Sequence, residues 1–175
     1  MVTALYVGRF QPPHRGHLKA VEYIMNEMDE LAIIIGSAQE SHSLDNPFTA
    51  GERIVMMRAA LNEIEINPLK YYLIPVPDSP MHSTWVSEIM AYSPPFSIVY
   101  SNEPLTSRLF KESCVTIKKI PLFQRKLYSS TEVRRRMLAD ENWRKLITTK
   151  VIHIIEDIGG VERLKELTKI DFKKN

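Results

Sequence analysis

Five short apolar runs separated by stretches of helical periodicity restrict this chain more than any other feature of its sequence. The runs are Ala4–Val7, Leu31–Ile35, Tyr71–Pro75, Phe96–Tyr100 and Val115–Ile120, each rich in β-branched or aromatic residues and followed by turn formers. Between the first two, Leu18, Val21, Ile24, Met25 and Met28 fall on one stripe, which predicts an amphipathic helix. Thr49-Ala-Gly-Glu52 reads as a capping box that opens a second helix and turns Ile54, Met57 and Leu61 inward. A further helix is expected over Ser83–Tyr92. Strands that alternate with helices pair in parallel and are covered on both faces. The expectation is an α/β fold, a doubly wound parallel sheet of about five strands. In such sheets ligands bind beyond the carboxyl ends of the strands, so the loops after strands come first in a search for chemistry.

After Leu122 the pattern turns helical, over Ser130–Leu138, Asn142–Leu146, Val151–Ile158 and Val161–Thr168. Val151, Ile154, Ile155 and Ile158 form an i, i+3, i+4, i+7 stripe that Gly159-Gly160 ends. These C-terminal helices are expected to pack on the sheet or on a neighbouring subunit, with Lys173-Lys174-Asn175 frayed.

The 175 residues suit one domain, 1–175, with a substantial core. Lysine and arginine total 23 against 21 acidic residues, a near balance that argues against a nucleic-acid binder. Cys114 is the only cysteine, so neither an internal disulfide nor a multi-cysteine metal site can form. No apolar run reaches the roughly 18–20 residues of a membrane span, and Met1–Gly8 is too short for a signal peptide. The expected compartment is the cytoplasm.

Gly8-Arg-Phe-Gln-Pro-Pro-His-Arg-Gly-His17 follows the first strand and carries the densest chemistry. Gly8 is expected where a side chain would block a ligand's approach to the backbone. Pro12-Pro13 presets an extended entry to the helix. His14 and His17, three apart at a helix start, turn their rings the same way. A helix N-terminus favours anions, so two imidazoles, Arg9 and that terminus together point to phosphate. Structural histidines and a His-x-x-His metal pair are the alternatives; two histidines without a carboxylate or thiol at matching spacing make a poor metal site. A second candidate is Tyr128-Ser-Ser-Thr-Glu-Val-Arg134, where Ser129-Ser-Thr-Glu132 fits a capping box. Ser130 and Thr131 would add hydroxyl donors and Arg134 a forked cation. Residues about 100° apart cannot share a direction, so Arg134 is expected to face phosphate while Arg135 and Arg136 stay at the surface. The bland reading of this segment is an ordinary capped helix with a solvated basic face.

Gly8, Phe10, Pro12, His14, Gly16 and His17 resemble the G-x-F-x-P-x-H-x-G-H signature of the HxGH nucleotidyltransferases, with the prolines shifted by one. Tyr128–Arg134 resembles their second motif, I-S-S-T-x-x-R. Arg9-Phe-Gln-Pro12, Gly36-Ser-Ala-Gln39 and Asn46-Pro-Phe-Thr-Ala-Gly-Glu-Arg53 are similar to the archaeal nicotinamide-nucleotide adenylyltransferases. The likeness runs from about Leu5 to about Leu164. It implies a Rossmann-like sheet and transfer of AMP from ATP to nicotinamide mononucleotide (NMN), giving NAD and pyrophosphate. It also implies a homo-oligomer, and Mg²⁺ held mainly by the ATP phosphates and water rather than by a protein cage.

No Gly-x-x-x-x-Gly-Lys-Ser/Thr loop is present, which speaks against a P-loop kinase. Attack on the α-phosphate by an anionic phosphate oxygen needs no strong base, so alignment and charge stabilisation would carry catalysis. His14, His17 and Arg134 are expected on the ATP phosphates, His17 nearest the reacting centre, with Arg9 bridging the two substrates. By resemblance Trp85 in Asp78-Ser-Pro-Met-His-Ser-Thr-Trp85 stacks on nicotinamide, with Asp78 and His82 in the same pocket; a core-packed tryptophan is the alternative. Ser37, Gln39 and Arg53 are further pocket candidates. His82, Ser101-Asn-Glu103 and Asp45-Asn46 depart from the family pattern. The competing functions are a relative acting on flavin mononucleotide, phosphopantetheine or a polyol phosphate, and a non-catalytic nucleotide-binding regulator.

Overall fold

Strand β1 (Thr3–Gly8) is apolar on both faces and lies at the centre of the sheet. The computed structural model describes residues 3–124 and 127–171. With β2 (Glu30–Ile35), β3 (Tyr71–Pro75), β4 (Ile98–Tyr100) and β5 (Thr116–Lys118), it forms one sheet in the order β3-β2-β1-β4-β5. All four pairings are parallel, with Tyr6 facing Ile33 on one side and Tyr100 on the other. The chain builds outward from β1 to β3, then crosses back to lay β4 on the other side of β1. The gap between the ends of β1 and β4 is therefore the topological switch point.

Alternate strand residues feed two cores. Ala4, Tyr6, Leu31, Ile33 and Ile35 pack with residues of α1 (Arg15–Met25), α2 (Ala50–Glu63), α5 (Ser130–Leu138), α6 (Thr149–Asp157) and α7 (Gly160–Asp171). Leu5, Ala32, Ile34 and Val99 pack with α3 (His82–Tyr92) and α4 (Pro104–Glu112). Helices thus cover both faces, as the continuous apolar runs in β1 and β2 require. Each fully buried isoleucine or leucine contributes about 1.5–3 kcal/mol.

The ends of elements differ from expectation. The fourth and fifth strands are shorter than their apolar runs, and Asn142–Leu146 closes only a 3₁₀ turn, Arg144–Leu146. Helix α4 was not foreseen, although its Glu103 cap and Pro104 at the first position are ordinary start signals. The Thr49 capping box forms in both directions, Glu52 N–H to Thr49 Oγ1 at 3.2 Å and Thr49 N–H to Glu52 Oε2 at 2.9 Å.

The C-terminal helices pack within their own chain. Helix α6 lies on α2, and α7 on α5 and α6. Val151, Ile155 and Leu164 are wholly buried, while Arg163 grips Glu52 with two hydrogen bonds of 2.8 Å. Gly159 ends α6 with φ +60°, but Gly160 starts α7, where a Cβ would meet the Phe48 ring at 2.8 Å. The expected fraying at Lys173-Lys174-Asn175 lies outside the described residues. Among the described residues, no helix is long and apolar enough to cross a membrane.

Candidate active site

A cavity of about 390 Å³ opens at the switch point. Its walls are the loop after β1, the segments following β4 and β5, and the start of α5. Gln11 fixes the first of these walls. Its buried amide donates to Phe48 O at 2.9 Å and accepts from Phe48 N–H at 3.0 Å, fastening the loop to the segment before α2. Phe10 has φ 53°, and its buried ring stands edge-on to Tyr6 at 5.7 Å and His17 at 4.7 Å. That ring gives Gly8 a reason within the fold: a Cβ there would lie 2.7 Å from Phe10 Cζ, so the glycine makes room for Phe10. Gly16 has the same kind of reason, since its Cβ would lie 2.8 Å from Tyr128 Cβ. The Gln11–Pro12 peptide is cis.

His14 and His17 cap α1 reciprocally. His17 N–H donates to His14 Nδ1 at 3.3 Å, and His14 N–H donates to His17 Nδ1 at 3.2 Å. Their rings stack at 3.5 Å between centroids, 22° apart. An Nδ1 that accepts cannot carry a proton, so each ring is neutral and holds its proton on Nε2. Burial lowers His14 to about 3. Burial and then the charge of His14 hold His17 well below the usual imidazole range. Both rings line the cavity as neutral donors.

Helix α5 closes the opposite side. Ser129 Oγ accepts from Glu132 N–H at 3.1 Å, but only half the expected capping box forms, because Glu132 turns its carboxylate to Arg135 and Arg136. Ser130 Oγ donates to Pro12 O at 2.9 Å and joins the two motifs. Arg134 is buried, donating from Nη1 to Gln11 O at 2.9 Å and from Nη2 to Asp45 Oδ1 at 3.1 Å. Arg9 is exposed and approaches Asn46 Oδ1 at 3.5 Å. Arg9, His14, His17, Ser130, Thr131 and Arg134 thus line one cavity from two distant segments.

The remaining candidates stand outside its lining. Arg53 is wholly buried and donates to Arg9 O at 2.8 Å, Gly36 O at 2.7 Å, Ser37 O at 3.0 Å and Thr49 O at 3.3 Å. It ties the ends of β1 and β2 to α2, and burial lowers it to about 10. Asp78 accepts from Ser37 Oγ at 3.0 Å and Gln39 Nε2 at 3.1 Å, bracing the ends of β2 and β3. His82 is exposed at the first turn of α3. Trp85 is half-buried, edge-on to Phe110 at 5.7 Å.

Sequence reasoning marked Ser101-Asn-Glu103 only as a departure from the family pattern and missed the wall that it forms with the segment after β5. Asn102 donates to Ile120 O at 2.7 Å and accepts from Ile120 N–H at 3.1 Å, joining the ends of β4 and β5 as a backbone pair would. Gln11, Tyr128 and Ile120–Phe123 also line the cavity; only the position of Gln11 and Tyr128 inside the two motifs could have signalled them. Glu103 is the one carboxylate in the described lining, and no described group of three or more His, Cys, Asp or Glu could hold a metal ion. The donor set fits phosphate oxygens, not a bare cation.

Residues 5–136 match the family model described as cytidylyltransferase-like. Over 171 residues the chain is 47% identical to the nicotinamide-nucleotide adenylyltransferase of Methanolobus tindarius, covering 98% of this chain and 97% of that one. It is 45% identical over 174 residues to the protein of that name from Archaeoglobus fulgidus, covering 98% and 100%. Among solved structures it is similar to a bifunctional NMN adenylyltransferase/ADP ribose pyrophosphatase from Francisella tularensis, with TM-score 0.83 and 18% identity. That alignment covers 99% of this chain and 55% of the other, and the likeness is one of fold.

Proposed function

This chain belongs to the cytidylyltransferase-like family, among the archaeal nicotinamide-nucleotide adenylyltransferases, and we propose that it joins AMP from ATP to NMN, making NAD. The observation that carries the reading is the meeting of neutral His14 and His17 with Arg9 and Arg134 at the switch-point cavity.

An NMN phosphate oxygen forms a bond to the α-phosphorus of ATP. The bond from that phosphorus to the α,β-bridging oxygen breaks, and pyrophosphate leaves with the electron pair. The nucleophile is already anionic, so no side chain need remove a proton. Imidazole Nε2–H groups and the N-termini of α1 and α5 would donate to phosphate oxygens whose charge grows in the transition state. Arg134 serves the triphosphate and Arg9 the junction of the two substrates. Gly8, Phe10, Gly16 and Ser129 shape and cap this frame; Ser130 and Thr131 flank the helix terminus. Mg²⁺ enters as the counter-ion of ATP, shielding its phosphates.

For the acceptor, Val7 connects two regions: it lines the cavity and packs in the cluster that includes Trp85. NMN extending past Val7 would reach the half-buried indole face, with Asp78 and His82 nearby in sequence. We infer a cytoplasmic homo-oligomer from the family.

Purified protein mixed with ATP, Mg²⁺ and NMN is expected to release pyrophosphate and form NAD, identified by mass. Pyrophosphate only with another phosphate acceptor would overturn the substrate; none with any acceptor would overturn the reaction.

A further inference from the structure

Two neighbouring residues before α2 engage both arginines of the cavity. Asp45 accepts from Arg134 at 3.1 Å, and Asn46 faces Arg9 at 3.5 Å. The sequence offers no cation at either position. The Asp45 pair is lopsided: the Arg134 side chain is 7% exposed, that of Asp45 80%. Arg134 is held independently by Gln11 O, so its position does not depend on Asp45 alone. Burial and the nearby Arg9 charge disfavour an unpaired Arg134 cation, while the Asp45 carboxylate favours it.

Resting on the phosphate-site reading above, we propose that Asp45 is an internal substitute for a phosphate oxygen and sets the enzyme's affinity for polyanionic ligands. In the empty cavity it neutralises Arg134. When a triphosphate or pyrophosphate enters, Arg134 exchanges the carboxylate for a phosphate oxygen, and Asp45 is left facing solvent beside a highly charged ligand. An exposed carboxylate gives up such a pair at small cost. Its charge then opposes the bound polyanion, and opposes it more strongly the more negative the ligand. Asp45 therefore weakens ATP and pyrophosphate selectively, relative to the less charged dinucleotide product, and favours pyrophosphate departure.

The test is calorimetric titration of wild type, Asp45→Asn, Asp45→Ala, Arg134→Met and His17→Gln with inorganic pyrophosphate, MgATP and NAD, alongside steady-state kinetics. Asp45→Asn keeps an acceptor for Arg134 without the charge. It is expected to bind pyrophosphate and ATP roughly three- to tenfold more tightly, with a smaller change for NAD and a gain that shrinks as salt rises. Unchanged or weaker pyrophosphate binding by Asp45→Asn would overturn the proposal, provided Arg134→Met still loses affinity. Loss of turnover in Asp45→Ala with full recovery in Asp45→Asn, at unchanged affinity, would also overturn it and make Asp45 a holder of Arg134. If Arg134→Met and His17→Gln both bind pyrophosphate like wild type, the phosphate-site reading itself fails.

Discussion

His14 and His17 each accept on Nδ1 the backbone N–H of the other, so the two imidazoles that face the cavity are also the cap of α1. Stability and chemistry are coupled in this pair, and two substitutions separate them. His17→Ala removes both roles, with turnover falling by about 10²-fold or more and stability by about 0.5–2 kcal/mol. Glutamine at the same helix position can restore the reciprocal cap. His17→Gln is therefore expected to recover stability but not turnover, measured by urea unfolding and NAD formation. Recovery of turnover as well would show that the imidazole has no chemical role.

The pair also dictates a response to pH. His14 titrates at about 3 in the folded protein against 6.5 in an unfolded chain, and His17 is shifted the same way. Above pH 6.5 both states are neutral and the stabilisation is complete. As pH falls below 6.5 the unfolded state takes up protons that the folded state refuses. Stability then declines by about 1.4 kcal/mol per pH unit for each histidine, until the folded rings titrate. Urea unfolding between pH 8 and 4 is expected to show this slope, reduced in His14→Asn, whose side chain caps without titrating. Equal slopes in both proteins would refute the assignment.

Arg53 is a fastener of backbone carbonyls and stands outside the cavity lining. Arg53→Met leaves the carbonyls of Arg9, Gly36 and Ser37 without these donors and is expected to destabilise by about 2–4 kcal/mol. Because it moves the loop that carries Arg9, residual folded enzyme should show raised KM values for both substrates. Wild-type unfolding midpoints would contradict the buried arrangement.

Trp85 tests the acceptor side. Its edge contact with Phe110 and its incomplete burial leave one ring both packing and reachable. Trp85→Ala is expected to lower stability by about 2 kcal/mol and raise the KM for NMN several-fold, with Trp85→Phe recovering most of both. An unaltered KM for NMN in Trp85→Ala would make the indole a packing residue only.

Helix α5 carries its own check on how far the motifs determine geometry. Ser130 Oγ on Pro12 O holds the two cavity-lining segments together across 118 positions of chain. Ser130→Ala is expected to cost about 1 kcal/mol in urea unfolding and to lower kcat more than it alters KM, as alignment of the two halves loosens. A pure KM effect would instead make the hydroxyl a ligand contact.

Local chemistry by itself determines much of this protein. The continuous apolar runs at Leu31–Ile35 and Ala4–Val7 call for burial on both faces, and with helical stretches between them a parallel sheet covered by helices provides it. The Thr49 and Ser129 caps, and the divergence of Arg134 from Arg135 and Arg136, follow from helix geometry alone. Other features depend on what the fold brings near. A Cβ on Gly8 would meet the Phe10 ring, and Glu132 abandons its cap for two arginines one turn on. Arg53 and Asp45 read alike as charged residues near a motif. One is sealed beneath the loops, and the other is the exposed partner of a buried arginine. Burial and the identity of a partner across many residues of chain are properties of packing, and no local pattern encodes them.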